Sequence, residues 1–178
     1  MKTLFSGGMD ELWDKYWGEL ASEWFKLEVL QDYTGEDDGP SLQAWLKGDR
    51  NRSLELLRTD DDPEFTKDCR TKLDQGVKLI RVHIIAEPAS PYMLWELEYY
   101  KHISIPLRGE QVSIVHKADA AGLDLPVGDL MIFDGRRAIE NSYDKNGRLV
   151  QADFYDERDD LSRFLELKKA LESRSRPL

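Results

Sequence analysis

The stretch from Val77 to Tyr100 constrains the fold of this chain more than any other. Ile80, Val82, Ile84 and Ala86 alternate with Arg81 and His83, the period of two expected of a β-strand with one apolar face. Pro88 and Pro91 end the strand, because proline cannot donate to a sheet ladder. Ser90 followed by Pro91 then has the form of a helix N-cap and a first helical residue. At roughly 100° per residue, Tyr92, Met93, Tyr99, Tyr100 and Ile103 share one face of the ensuing helix. Glu96 falls in the middle of that face. A carboxylate among aromatic rings is either paired with a base or is itself a site.

The remaining elements follow from the same periodicities. Met9, Leu12, Trp13, Tyr16, Trp17 and Leu20 recur at helical spacing and predict an amphipathic helix over 9–20. Phe25–Leu30 alternates as a short strand, Thr34–Pro40 is an acidic loop, and Ser41–Gly48 is a short helix stopped by its glycine. Residues 49–75 predict two charged helices broken at Asp60-Asp61-Asp62-Pro63. That acidic triplet is better read as a helix start, where negative charge favours the dipole, than as a metal site. Residues 111–116, 129–134, 136–143 and 148–155 are strand-like. Asp134-Gly135 and Asn146-Gly147 are hairpin signals, so the last three strands form an antiparallel meander. A helix over 156–173 closes the chain on Leu161, Phe164, Leu165, Lys168 and Leu171, and a frayed tail follows from Ser173.

These elements predict an α+β domain over 1–178 with a short arm at 1–8. The sheet is mixed and mostly antiparallel, has about five or six strands, and carries its helices mainly on one face. The face formed by Ile80, Val82 and Ile84 is expected to meet both the 90–103 helix and the last helix.

Composition excludes some functions. A net charge of -10 argues against direct binding to the nucleic-acid backbone. The single cysteine, Cys69, cannot form an intrachain disulfide, which suits a reducing compartment. No apolar run reaches the ~18 residues of a membrane span and no signal core is present, so a cytoplasmic protein without membrane contact is expected. Phosphate loops, paired Cys-x-x-Cys, His-Glu-x-x-His and nucleophile-elbow motifs are missing. No catalytic residue, metal ligand or cofactor is assigned; His83 and His116 read as sheet histidines rather than a metal pair.

The candidate pocket is Arg81, His83, Glu87, Tyr92, Glu96, Tyr99 and Tyr100. Arg81, Arg136 and Arg137 are candidate ion-pair partners for Glu96. Glu87 also caps the corner before Pro88. Leu94, Trp95 and Leu97 lie outside the Glu96 face, so a second surface must cover this helix, most economically the aromatic helix at 9–20. Trp13, Tyr16, Trp17 and Trp95 are therefore candidate interface residues, with a two-fold homodimer as the next arrangement.

Several segments together resemble an uncharacterised actinobacterial family encoded near helix-turn-helix transcription regulators. They are Phe25-Lys-Leu-Glu-Val-Leu30, Trp45-Leu-Lys-Gly48, Arg81-Val-His-Ile-Ile-Ala-Glu-Pro-Ala-Ser-Pro-Tyr92 with Trp95-Glu96, Asp129-Leu-Met-Ile-Phe-Asp134 and Tyr143-Asp-Lys-Asn-Gly-Arg148. The resemblance implies a place in gene regulation and development, but no activity. The expectation is a non-enzymatic regulatory protein acting through a protein partner, such as a helix-turn-helix regulator. The alternative is a small-molecule sensor or small enzyme using the Tyr-lined pocket around Glu96. A closed Glu96–Arg pair with no cavity favours the first; a concave pocket of several hundred Å³ around Glu96, with Glu87 and Tyr92 converging, favours the second.

Overall fold

The computed structural model describes residues 1–5, 10–35 and 39–178, with Phe5 described by its backbone alone. Met9 of the expected first helix and residues 36–38 of the acidic loop lie outside the described residues. Eight strands form one sheet: β1 (Lys2–Phe5), β2 (Glu23–Glu28), β3 (Lys78–Ile85), β4 (Gln111–His116), β5 (Leu130–Phe133), β6 (Arg137–Tyr143), β7 (Leu149–Tyr155) and β8 (Arg176–Pro177). Their order is β1-β7-β6-β5-β2-β3-β4-β8. The described helices are α1 (Asp10–Gly18), α2 (Pro40–Leu46), α3 (Arg50–Leu56), α4 (Pro63–Asp74), α5 (Pro91–Tyr99) and α6 (Ser162–Glu172). A π-helical turn at Tyr100–Ser104 continues α5.

The fold is α+β with a mixed sheet, but the sheet has eight strands rather than five or six. The two additions come from the expected arm and the expected frayed tail. β1 pairs antiparallel with β7, and β8 pairs antiparallel with β4. Segments this short cannot display an alternation. They become strands because β7 and β4 offer unpaired backbone groups at their edges. The β5-β6-β7 meander is present as expected.

β2, β3 and β4 run parallel at the centre of the sheet, and central parallel strands bury both faces. On one face Phe25, Leu27, Val82 and Ile84 pack with Phe164, Leu167 and Leu171 of α6. On the other, Trp24, Leu79, Met131 and Phe133 pack with Tyr16 and Trp17 of α1 and Cys69 of α4. α5 lies on this second face, where Tyr100 reaches His83. The expectation that α5 and α6 share the Ile80–Val82–Ile84 face is therefore corrected. In a strand buried on both sides, the apolar alternation no longer says which side a helix takes. α6 also buries Leu167 where Leu165 was expected, and Leu165 is exposed.

Local signals fared better. Ser90 Oγ accepts the Met93 amide at 3.0 Å with Pro91 opening α5. Asp62 accepts the Phe65 amide at 3.1 Å with Pro63 opening α4, so the acidic triplet ends in a helix cap. Asp134 and Gly135 have φ of 53° and 66°, as a tight hairpin between right-twisted strands requires. Partial burial disfavours the Asp134 charge, but the Ser22 hydroxyl and the amides of Glu23, Ala21 and Ser22 outweigh it and hold the pKa at about 2. The unfolded value is ~3.9, so the folded pKa is the lower one. Asp134 thus contributes stability that is present above pH ~4 and lost as pH falls toward ~2. Asp134→Asn keeps a residue that tolerates positive φ and removes the charge. Its unfolding free energy is expected to be lower than wild type at neutral pH, with the two curves converging below pH ~2. Parallel acid limbs with a constant gap would refute this role for the charge.

Candidate functional site

Three alternating positions of β2 and two of β3 share the face beneath α5: Trp24, Lys26 and Glu28, with Arg81 and His83 beside them in register. Glu28 is the hub. Its Oε1 lies 2.6 Å from both Arg81 Nη1 and Lys26 Nζ. Its Oε2 accepts the Tyr100 hydroxyl at 2.6 Å. Arg81 Nε also donates to Glu110 Oε2 at 2.5 Å. Burial works against the charged form of Glu28, but Arg81 and Lys26 outweigh it and hold its carboxyl well below the usual range. Arg81 is likewise disfavoured by burial and restored by Glu110 and Glu28, so it stays charged.

Glu96 enters this cluster from α5 and is treated differently. Burial, and then the Glu28 charge, push its pKa well above the ordinary carboxylate value. Its Oε2 is buried with no hydrogen-bond partner and sits 3.5 Å from His83 Nδ1. The ion pairs of Arg81 go to Glu28 and Glu110. Those of Arg137 go to Glu19 and Glu157, and those of Arg136 to Asp134 and Glu157. The expected Glu96–Arg ion pair is not among them. His83 is fully buried, and burial lowers its pKa, so the ring is neutral. Its Nε2 lies 2.9 Å from the Leu30 carbonyl. A carbonyl only accepts, so Nε2 carries the proton and Nδ1 presents its lone pair.

A cavity of about 670 Å³ opens over this floor. Its lining includes Glu28, Glu96 and Tyr100 below, Trp95, Tyr92 and Tyr99 from α5, and Asp129 and Tyr143 from the meander side. The buried Asp129 accepts the hydroxyls of Tyr33 at 2.5 Å and Tyr143 at 2.8 Å, and its own pKa is raised, chiefly by burial. At the rim, Tyr99 donates to Asp61 at 2.8 Å and Arg108 lies 3.3 Å from the same carboxylate. Trp24 also lines the cavity and carries a buried indole N–H without a partner.

Of the seven expected pocket residues, Arg81, Tyr92, Glu96, Tyr99 and Tyr100 line the cavity, and His83 lies buried against its floor. Glu87 does not converge with them: its side chain is exposed and pairs with His116 at 2.9 Å. His83 is a fully buried histidine rather than one on the sheet surface. Sequence reasoning missed Lys26, Glu28, Glu110 and Asp129. Lys26 and Glu28 alternate with apolar neighbours and so read as an ordinary outer face. A signal was nevertheless present, since Trp24 shares that face. The π turn also went unseen, yet it sets the direction of Tyr100, and such turns recur at functional sites.

The expected interface aromatics are largely internal. Tyr16, Trp17 and Trp95 are buried, and Trp13 stacks on Trp17 at 5.6 Å and meets Trp24 and Phe133 edge-on. The second side of α5 is covered by α2, not by α1: Trp95 Nε1 donates to Ser41 at 3.0 Å. Most of the aromatic surface that motivated a two-fold partner is thus covered within the chain, whereas Leu94 of α5 stays exposed. Among the described residues, no helix is long and apolar enough to cross a membrane.

A mixed α+β sheet with a buried, charged pocket beneath one crossover helix defines a pocket-bearing domain. A family model described as a domain of unknown function (DUF6879) matches residues 11–178, and the chain belongs to that family. No curated protein matches it. Among solved structures it is similar to TrmBL2, an archaeal chromatin protein described as showing a novel mode of DNA binding. The identity there is 16% and the TM-score 0.46, over 99% of this chain and 54% of that one. The chain thus spans about half the length of that protein, and a likeness at this level bears on neither mechanism nor partner.

Proposed function

We propose that this protein is a non-enzymatic regulatory module that binds a small, positively charged ligand in the cavity over Glu96. The observation that carries the reading is the unpartnered Glu96 oxygen, buried beside a cavity of about 670 Å³ with aromatic walls. That volume falls within the ~300–1,000 Å³ of small-molecule sites. A buried polar atom left without a partner costs roughly 1–3 kcal/mol, and a ligand that pairs with it recovers that cost. Tyr92, Trp95 and Tyr99 line the cavity, and the faces of such rings attract a cation. Glu28 is better suited to act as a fixed charge than as a base, because Arg81 and Lys26 already stabilise its ionised form. In this reading a protein partner, of the helix-turn-helix kind that the sequence resemblance implies, would respond to the ligated state. Direct DNA contact is disfavoured by the charge of -10.

Glu96→Gln tests this proposal. The substitution keeps the shape and removes a group whose charge is poorly solvated, so stability should stay within about 1 kcal/mol of wild type or improve. A panel of primary and quaternary amines should raise the melting temperature of wild type but not of Glu96→Gln. If no amine or metal cation stabilises wild type, or if the variant responds equally, the proposal fails.

A further inference from the structure

The floor of the pocket brings three potential ligand atoms together. His83 Nδ1 is an acceptor because Nε2–H is committed to the Leu30 carbonyl. Glu28 Oε2 and Glu96 Oε2 each lie 3.5 Å from Nδ1. The Tyr100 hydroxyl, with one proton, stands within hydrogen-bond distance of both Nδ1 at 2.8 Å and Glu28 Oε2 at 2.6 Å. The hydroxyl therefore serves two acceptors, and Glu96 Oε2 has no hydrogen-bond partner.

We propose that Glu28 Oε2, His83 Nδ1 and Glu96 Oε2 are a binding site for one divalent first-row transition-metal ion. The inference rests on the reading of the pocket as a cation site and specifies its first occupant. Three independent features carry it.

The first is distance. One ligand atom from each of Glu28, His83 and Glu96 lies within 4.8 Å of the other two. Ligands at ~2.1 Å from a tetrahedral ion are ~3.4 Å apart, close to the 3.5 Å from Nδ1 to each carboxylate. The second is the support around the ligands. A metal-bound histidine typically donates its other N–H to a carbonyl or carboxylate, as His83 does to Leu30. Glu28 divides its oxygens, Oε1 to Arg81 and Lys26 and Oε2 to this site, so its orientation is set before any ion arrives.

The third is charge. Four buried carboxylates (Glu28, Glu96, Glu110 and Asp129) face two cations, Arg81 and the partly buried Lys26. Arg108 is turned to Asp60 and Asp61 at the rim. Acidic side chains thus outnumber cationic ones at the floor, an imbalance that one divalent ion would reduce. One imidazole with two carboxylates suits zinc, manganese or iron better than calcium, which takes six to eight oxygens. The Tyr100 hydroxyl and the open cavity would complete the coordination sphere.

The test uses the full chain after chelator treatment, titrated with Zn²⁺ and Mn²⁺ by calorimetry and with Co²⁺ by visible absorption. One saturable equivalent per chain is expected, with Co²⁺ bands of nitrogen–oxygen ligation. Outer partners of metal ligands are worth ~10–100-fold in affinity, so loss of a ligand in Glu96→Gln should weaken binding by more than ~100-fold. Glu87→Gln, altering the separate Glu87–His116 pair, should bind as wild type. Binding that survives Glu96→Gln, or that Glu87→Gln abolishes, would overturn the assignment. So would no stoichiometric binding of any of the three ions. In that last case, amines that still raise the wild-type melting temperature would leave the pocket reading standing, whereas no response to any cation would remove both.

Discussion

Arg81→Met is expected to destabilise this protein by about 3–5 kcal/mol, the usual cost of breaking a buried ion pair from one side. In a chain of this size that is a fall in melting temperature on the order of 10 °C. The reason lies in where the guanidinium stands. Arg81 is 7% exposed and bonds Glu28 at 2.6 Å and Glu110 at 2.5 Å. Among the described residues, removing it leaves Lys26 as the one charged ion-pair partner of Glu28 and leaves Glu110 without an ion pair. Such charges are costly in a medium that cannot solvate them. The arginine also lies 5.8 Å from the Trp24 ring and 5.5 Å from the Tyr100 ring, so packing goes with the charge.

A triple variant separates charge from packing. Adding Glu28→Gln and Glu110→Gln to Arg81→Met removes the orphaned charges and should recover a large part of the loss, because a neutralised cluster no longer pays for desolvation. Denaturant unfolding of the single and triple variants measures this. A single-variant loss below about 1 kcal/mol would mean that water reaches the cluster and the network is weaker than its geometry indicates.

The second large effect is expected at Trp24. Trp24→Ala should cost about 3–5 kcal/mol, as large-to-small changes at buried aromatics do. The side chain is 1% exposed. It meets Trp17 at 5.6 Å and Trp13 at 6.4 Å in edge-to-face contacts, a geometry worth something beyond area alone. It therefore joins α1 to the central strands. Trp24→Phe should be much milder. It leaves a smaller void and deletes an indole N–H that has no partner, whose burial is itself a cost. Equal losses in the two variants would show that the indole makes a hydrogen bond in solution, to water or ligand.

Much of this was legible in the sequence, and the boundary between what was and was not follows sequence distance. The Ser90–Pro91 start of α5, the Asp62–Pro63 start of α4, the Asp134–Gly135 turn and the alternation of β3 were all readable. Each depends on a backbone preference or hydrogen bond spanning two to four residues. The importance of Glu96 was readable for a related reason: a carboxylate on an apolar helix face needs an explanation wherever the helix docks. Its partners were not readable. Glu28 reaches Arg81 and Tyr100 across 53 and 72 residues, and Tyr33 reaches Asp129 across 96. Nothing local distinguishes those pairings from others that an acidic chain could make. Lys26 and Glu28 looked like an outer face because alternation reports only that two faces differ. Parallel pairing of β2, β3 and β4 placed both faces inside, and helices then covered each of them. The sequence by itself determined most of the elements, several of their ends and one anomalous acid. The tertiary structure alone decided that this acid faces a cavity and a histidine rather than an arginine, because burial and pairing of charge are set by whatever the other strands bring within a few ångströms.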